Sequence, residues 1–435
     1  SMTVIDQHTG YVKAMIGGRG EKTASLTMNR ATDSTRQPGS TFKIVSTYAP
    51  ALNELGMSLA TTFEDEPYNY PSGQPVKNAS GSYSGTTTIR TAIRNSINVV
   101  AVKCLEQVTP ELGLQYLDNF GFSTLAHGTE ADTDANGNVY TDANLPMALG
   151  GLTYGITNID LCAAYATIAN SGNYIKPVYY TKILDHNGNV LIENTSAEKS
   201  VIKESTAFLL TSAMEDVVQQ GTGTACQLDN MAVAGKTGTT DQYNDLWFAG
   251  FTPYYTCVVW SGYDDNQKIP DDARNFHKNL WRKVMSRIHE GLEYRDFQQP
   301  SSVEKISICS ETGLLPRTGC PVIEEYFDVG TVPTEYCDQH FYEIPDEETE
   351  GELVLDPDLT QTPDDPNNPG NPEEPVIPDN PDNTGGDGTG GDGTGGDGTG
   401  GDNTGGDGTG GDGTGGDYTG GDNTGGEGTD DIVYY

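Results

Sequence analysis

The chain has 435 residues and carries 24 Lys+Arg against 63 Asp+Glu, a formal net charge of −39. Residues 343–435 hold 25 of those acids and no Lys or Arg, which leaves −14 for residues 1–342, an ordinary, mildly acidic globular stretch long enough to bury a core. A polyanion repels phosphate backbones, so nucleic-acid binding is excluded as a main function. No stretch approaches the roughly 18–20 apolar residues that cross a bilayer, and no secretory leader opens the sequence. Ser1-Met2 runs straight into Thr3-Val4-Ile5, a strand without lead-in, which reads as a cut from a longer chain.

In chain order, Val4-Ile5-Asp6, the turn His8-Thr9-Gly10 and Tyr11 to Ile16 predict a β-hairpin. Helical periodicity follows over residues 42–55, 91–107, 161–169 and 207–219. Two strands at 246–252 and 256–262, joined by Pro253-Tyr254-Tyr255, precede a last helix at 275–289 with Leu280, Trp281, Val284, Met285 and Ile288 on one face. Strands at both ends with helices between them predict an α+β domain over 1–298, its two ends sharing one antiparallel sheet. Residues 299–342 form a small cysteine-bearing appendix. Beyond it, Pro, Asp, Glu and Asn give way to a repeated Thr-Gly-Gly-Asp-Gly pentad, first at Thr384. Those pentads lack the large apolar residue that a calcium β-roll needs in each unit, so 343–435 reads as a disordered acidic arm.

Three short motifs carry chemistry. In Arg36-Gln37-Pro38-Gly39-Ser40-Thr41-Phe42-Lys43 a Pro-Gly stop is followed by Ser40 opening an apolar helix. A three-residue offset puts Lys43 beside Ser40 on nearly the same helix face. A serine hydroxyl is a poor nucleophile until an adjacent amine, held neutral by burial or a nearby cation, takes its proton. Ser-x-x-Lys occurs four times, at Ser40, Ser196, Ser200 and Ser302, and only the first precedes the other two elements in order. The second is Ser96-Ile97-Asn98; Ser171-Gly172-Asn173 matches too but sits in an obvious turn. The third, Lys236-Thr237-Gly238-Thr239, directly precedes the strand pair. Taken singly, Ser40 could be a helix cap and Lys236 a strand entry; the ordered set points to acyl transfer.

With these residues the sequence resembles the penicillin-binding transpeptidases, and specifically those of class A. The Arg-Gln-Pro-Gly-Ser-Thr-Phe-Lys form, the Gly221-Thr222-Gly223 loop and Trp247-Phe248-Ala249-Gly250 add to the likeness, which covers residues 3 to about 340. The resemblance implies an antiparallel sheet flanked by helices, with an all-helical lobe. It implies a Ser40 acyl-enzyme formed on the D-alanyl-D-alanine of a peptidoglycan stem peptide, with Lys43 as general base. Ser96, assisted by Lys236, would relay a proton to the leaving amine, and Asn98 would bind the substrate amide. Thr237 and Thr239, with Gly238 between them, would hold the substrate carboxylate, and the N–H groups of Ser40 and Thr239 would form the oxyanion hole. A neighbouring stem-peptide amine would accept the acyl group, and β-lactams would trap Ser40. A D,D-carboxypeptidase or β-lactamase on the same scaffold and a non-turnover β-lactam sensor are the alternatives. The resemblance also implies work at the outer face of a bacterial cell membrane, in a membrane-anchored parent protein. Class A proteins carry their anchor and a glycosyltransferase domain ahead of this region, so glycan polymerisation is not expected of these residues.

No cofactor or metal ligand is assigned. Asp132-Thr133-Asp134-Ala135-Asn136-Gly137 opens like a calcium loop, but the residue twelve along is Ala143 instead of a glutamate, so a hairpin turn is expected. Gly221-Thr222-Gly223 lacks the third glycine of a dinucleotide fingerprint. Cys104, Cys162, Cys226 and Cys257 lie singly in apolar or mixed segments and read as small core hydrophobes. Cys309, Cys320, Cys337 and His340 could form a zinc site, yet only Cys337 and His340 have ligand-pair spacing. Outside the membrane, one disulfide with a thiol left over is the leading expectation there, ahead of free thiols and then zinc.

Overall fold

A computed structural model describes residues 1–194 and 196–340; the acidic arm expected at 343–435 lies outside the described residues. Its centre is a five-stranded antiparallel sheet. With β1 at Met2–Asp6, β2 at Tyr11–Ile16, β3 at Ala234–Thr239, β4 at Asp245–Phe251 and β5 at Thr256–Gly262, the order across the sheet is β3-β4-β5-β1-β2. Met2 pairs with Val259 and Ile5 with Thr256, so the two distant ends of the domain do share one sheet.

Side chains alternate across a strand, and here both faces are covered, which explains why β4 (Asp-Leu-Trp-Phe-Ala-Gly-Phe) is buried along its whole length. Met2, Val4, Phe248, Cys257 and Val259 pack against Trp281 and Met285 of the last helix, Phe276–Ile288. Ile5, Trp247, Ala249, Phe251 and Val258 join the opposite core, built on the helices between the two ends of the sheet. That lobe contains α1 at Ala49–Glu54, entered through a π-helical stretch Lys43–Tyr48, and α2 at Ile89–Asn95. It continues with α3 at Asn98–Val108, α4 at Pro110–Asn119, α5 at Asn158–Ala169 and α6 at Glu204–Gln219.

The single helix expected over 91–107 is in fact two. α2 ends at Ser96, which sits in the left-handed region at φ 57°, and α3 restarts at Asn98. Hydrophobic periodicity runs through such a break because both segments bury the same lobe. α4 was not anticipated, although Thr109 caps it through its side chain and Pro110 opens it, a recognisable start signal.

In the appendix β6 (Val303–Cys309) and β7 (Val322–Asp328) pair as an antiparallel hairpin. It docks on α2 and α6: Arg90 donates to both carboxylate oxygens of the buried Glu325 at 2.6 Å each and to Asp216 at 3.0 Å. Phe208 of α6 meets Tyr326 edge-to-face at 5.3 Å. Cys104, Cys162, Cys226 and Cys257 are fully buried, as small core hydrophobes should be. The disulfide expected among Cys309, Cys320 and Cys337 is not formed; the three sulfurs are instead gathered in one place together with His340. The Asp134 segment is a turn, its carboxylate accepting from the N–H groups of Asn136 and Asn138 at 2.9 Å.

Candidate active site

Three pieces of chain converge at one end of the sheet: the turn Pro38–Thr41, the Ser96 junction between α2 and α3, and the edge strand β3. The turn is pressed so closely on β3 that two glycines are required. Gly39 has φ 55°, and a Cβ there would lie 2.9 Å from the Thr239 nitrogen. A Cβ on Gly238 would lie 2.4 Å from the Pro38 carbonyl oxygen. Further bonds fix the turn from behind. Trp247 Nε1 donates to Gln37 O at 2.9 Å, and Tyr165 Oη donates to Thr41 O at 2.8 Å. The Gln37 amide pairs with the Leu152 backbone in both directions, at 2.7 and 2.9 Å.

Gly39–Thr41 is one turn of 3₁₀ helix. Phe42 ends that turn, and Lys43 opens the π-helical stretch that follows it, three residues on from Ser40. Ser40 is half-buried and Lys43 is completely buried. The Lys43 ammonium does not reach back to Ser40: among the described residues it bonds to Asn98 Oδ1 at 2.6 Å, Ser96 O at 2.8 Å and Ser96 Oγ at 3.3 Å. From the other side Lys236, also completely buried, puts its Nζ 2.8 Å from Ser96 Oγ and 3.3 Å from Thr237 O. The Ser96 hydroxyl therefore lies between two buried amines.

Neither amine has a carboxylate partner among the described residues. Burial, and after it the Lys236 cation, holds Lys43 well below the ordinary lysine range. Burial alone pulls Lys236 down to about 7. Two buried ammonium groups sharing one hydroxyl repel each other, which favours the neutral form of Lys43, the state that can accept a proton.

Asn98 is held at both ends, accepting from Lys43 and donating through Nδ2 to Lys77 O at 2.7 Å. An amide NH₂ has two hydrogens, so one remains for a ligand. Asn78 was not foreseen: its Oδ1 accepts from the Asn98 and Val99 backbone nitrogens at 2.9 and 3.2 Å, capping α3. No sequence signal marks it, since it lies some twenty residues upstream in an irregular stretch. Thr237 Oγ1 lies 2.7 Å from Thr222 Oγ1, which brings the Gly221-Thr222-Gly223 loop to the site. Thr239 is exposed at the end of β3. Ser40, Lys43, Ser96, Asn98, Lys236, Thr237, Gly238 and Thr239 thus lie in one locality, while Ser196, Ser200 and Ser302 and their lysines lie elsewhere.

The pairing of edge strand and serine–lysine turn in an α+β domain agrees with what known proteins show. Residues 1–285 match the family model described as the penicillin binding protein transpeptidase domain, and the chain belongs to that family. Residues 299–342 match the penicillin-binding protein 1A C-terminal domain, so the transpeptidase region is of the class A, 1A type. Penicillin-binding protein 1A of Clostridium tetani is 34% identical over 360 residues, covering 78% of this chain and 44% of that protein. Penicillin-binding protein 1A/1B of Bacillus subtilis is 28% identical over 356 residues, covering 77% and 37%. The chain spans less than half the length of these curated relatives. Among solved structures, PonA1 of Mycobacterium tuberculosis in complex with penicillin V superposes with a TM-score of 0.59 at 25% identity, covering 69% of this chain and 80% of that one. Penicillin-binding protein 1A of Haemophilus influenzae shares the fold with a TM-score of 0.65 at 24% identity, covering 77% and 54%.

Proposed function

We propose that the chain is a peptidoglycan D,D-transpeptidase that works through an acyl-enzyme on Ser40 and is trapped there by β-lactams. The observation that carries the reading is the Ser96 hydroxyl held between two buried lysines, 3.3 Å from one and 2.8 Å from the other.

In this reading neutral Lys43 takes the Ser40 proton as Oγ attacks the carbonyl between the two D-alanines of a stem peptide. The developing oxyanion faces the N–H groups of Ser40 and Thr239, donors worth about 3–4 kcal/mol each when preorganised. The proton then passes from Lys43 through Ser96 to the departing amine, and the terminal D-alanine leaves. Lys236 donates to Ser96 Oγ, which keeps the relay aligned and supplies positive charge beside the substrate carboxylate on Thr237 and Thr239. Asn98 offers its remaining N–H to the substrate amide. In the second half the amine of a neighbouring stem peptide loses a proton along the same route and attacks the ester, which regenerates Ser40 and leaves the cross-link. Substrates of this kind place the domain outside the cytoplasmic membrane; among the described residues no helix is long and apolar enough to cross one. Hydrolysis to a carboxypeptidase or β-lactamase would need a base to activate water. Among the described residues no carboxylate bonds to Lys43, Ser96 or Lys236, so the carboxylate-activated water of a β-lactamase has no base in place here.

The test is an intact-mass time course with excess penicillin, followed by peptide mapping. One persistent adduct on Ser40, absent in S40A, is expected. An adduct that disappears as penicillin is consumed would make the chain a β-lactamase, and none at all would remove acylation from its chemistry.

A further inference from the structure

We infer that Cys309, Cys320, Cys337 and His340 form a structural zinc site that closes the C-terminal appendix. Their ligand atoms all lie within 4.8 Å of one another. Around a tetrahedral zinc with Zn–S near 2.3 Å and Zn–N near 2.05 Å, sulfur–nitrogen edges come out at about 3.6 Å. The observed His340 Nδ1 separations from the Cys309 and Cys337 sulfurs are 3.5 and 3.3 Å.

Backbone pairing explains why sequence spacing concealed the set. The hairpin register sets Cys309 opposite Val322, and so brings Cys320, two residues earlier, to the same end. A second, separate link delivers the remaining pair: Leu315 N donates to Glu335 O at 2.9 Å, and Cys337 N donates to Leu315 O at 2.8 Å. Residues eleven and seventeen apart in sequence thereby become neighbours, and Cys337-Asp338-Gln339-His340 supplies two ligands from one turn.

The surroundings are those of a ligand set and not of a chance cluster. His340 Nε2 lies 3.0 Å from Glu311 Oε2. With the proton held on Nε2 by that carboxylate, the Nδ1 lone pair points among the sulfurs, the arrangement that orients metal-bound histidines. The Arg317 N–H donates to Cys320 Sγ at 3.3 Å, a bond that favours thiolate. Cys309 and Cys337 are fully buried, where thiolate charge is costly unless a cation is bound among the sulfurs. Three thiolates and one imidazole are a soft set that suits zinc over calcium or magnesium. Binding one Zn²⁺ releases three thiol protons and leaves a site of net charge −1 without any redox step. The metal would fasten the open end of the hairpin to the segment that follows it, in the module whose Glu325 grips Arg90.

The test uses the whole chain, purified without chelator and dialysed against metal-free buffer. One equivalent of zinc by elemental analysis is expected, released when an organomercurial titrates the thiols of the unmodified protein. C337S and H340A should each lower retained zinc at least about tenfold, while C226S, outside the set, should not. Cobalt offered in place of zinc should give thiolate-to-metal charge-transfer absorption and tetrahedral d–d bands, a signature that depends on no variant. Less than a tenth of an equivalent after zinc has been offered, or a chain lighter by two hydrogens with a disulfide mapped among the three cysteines, would overturn the inference. So would full zinc retention in both variants. Metal content is read independently of whether Ser40 is acylated.

Discussion

Replacing Lys236 by methionine separates what this lysine costs the fold from what it does for the chemistry. The side chain is completely buried, and burial lowers its pKa from 10.5 to about 7. At about 1.4 kcal/mol per unit, that shift corresponds to roughly 5 kcal/mol charged against the folded state wherever both states are protonated, at and below about pH 7. Between about pH 7 and 10.5 the unfolded chain binds a proton here that the folded chain does not, so wild-type stability contributed by this group rises with pH. K236M has no such dependence. It also loses the bonds to Ser96 Oγ and Thr237 O, worth about 1.5–3 kcal/mol each when the donor is charged. The two effects nearly cancel at neutral pH, and the variant should be about as stable as the parent there. By pH 10 the parent should have gained several kcal/mol on it, at a slope approaching 1.4 kcal/mol per pH unit. Urea unfolding of both proteins across that range measures the gap. A gap that does not change with pH would refute the argument, since it would mean that Lys236 keeps its proton in the folded state. Penicillin acylation of K236M should fall by about 10²–10⁴ throughout.

Two other substitutions probe the same site. Ser96 occupies left-handed backbone at φ 57°, a conformation that costs a residue with a Cβ about 1–2 kcal/mol. S96A and S96G should both slow acylation about 10²–10⁴-fold, yet S96G should unfold at the higher temperature of the two; acylation by S96A at the parental rate would sink the relay. In G238A the new methyl meets the Pro38 carbonyl at 2.4 Å, so the turn bearing Ser40 must move. Acylation should drop at least about 100-fold and stability by about 1–3 kcal/mol, both measurable by stopped-flow with a chromogenic β-lactam and by thermal melting.

Much of this arrangement was legible in the sequence, for identifiable reasons. The strands at 246–252 and 256–262 and the last helix announced themselves because period and length agree in each. The motif residues were found because proline, glycine, serine and lysine at fixed offsets have few other uses together. The break at Ser96 was not legible: a left-handed serine is a cost accepted to aim a hydroxyl, and local propensity argues against it. Asn78 was invisible because capping across twenty residues leaves no periodic trace. The cysteines of the appendix misled for a related reason. Ligand spacing was judged along the chain, whereas the strand register decides which thiols meet. Nor did the sequence foretell that Lys43 would turn to Ser96 and Asn98 instead of Ser40, because the offset fixes the face and not the direction of a long side chain.

The sheet that unites the two ends of the domain also sets a timetable. Ser40 and Lys43 leave the ribosome well before the strand against which their turn is pressed, which begins at Ala234, and β1 finds its partner only when Val259 is available. Contacts of such separation form late, because a long loop must close before they are rewarded. A chain cut or stalled anywhere before about residue 262 would hold the serine and lysine without the wall that positions them. Reactivity at Ser40 is therefore a stopwatch for completion of the whole domain, and a fluorescent β-lactam added during refolding would mark the moment at which the last strand closes.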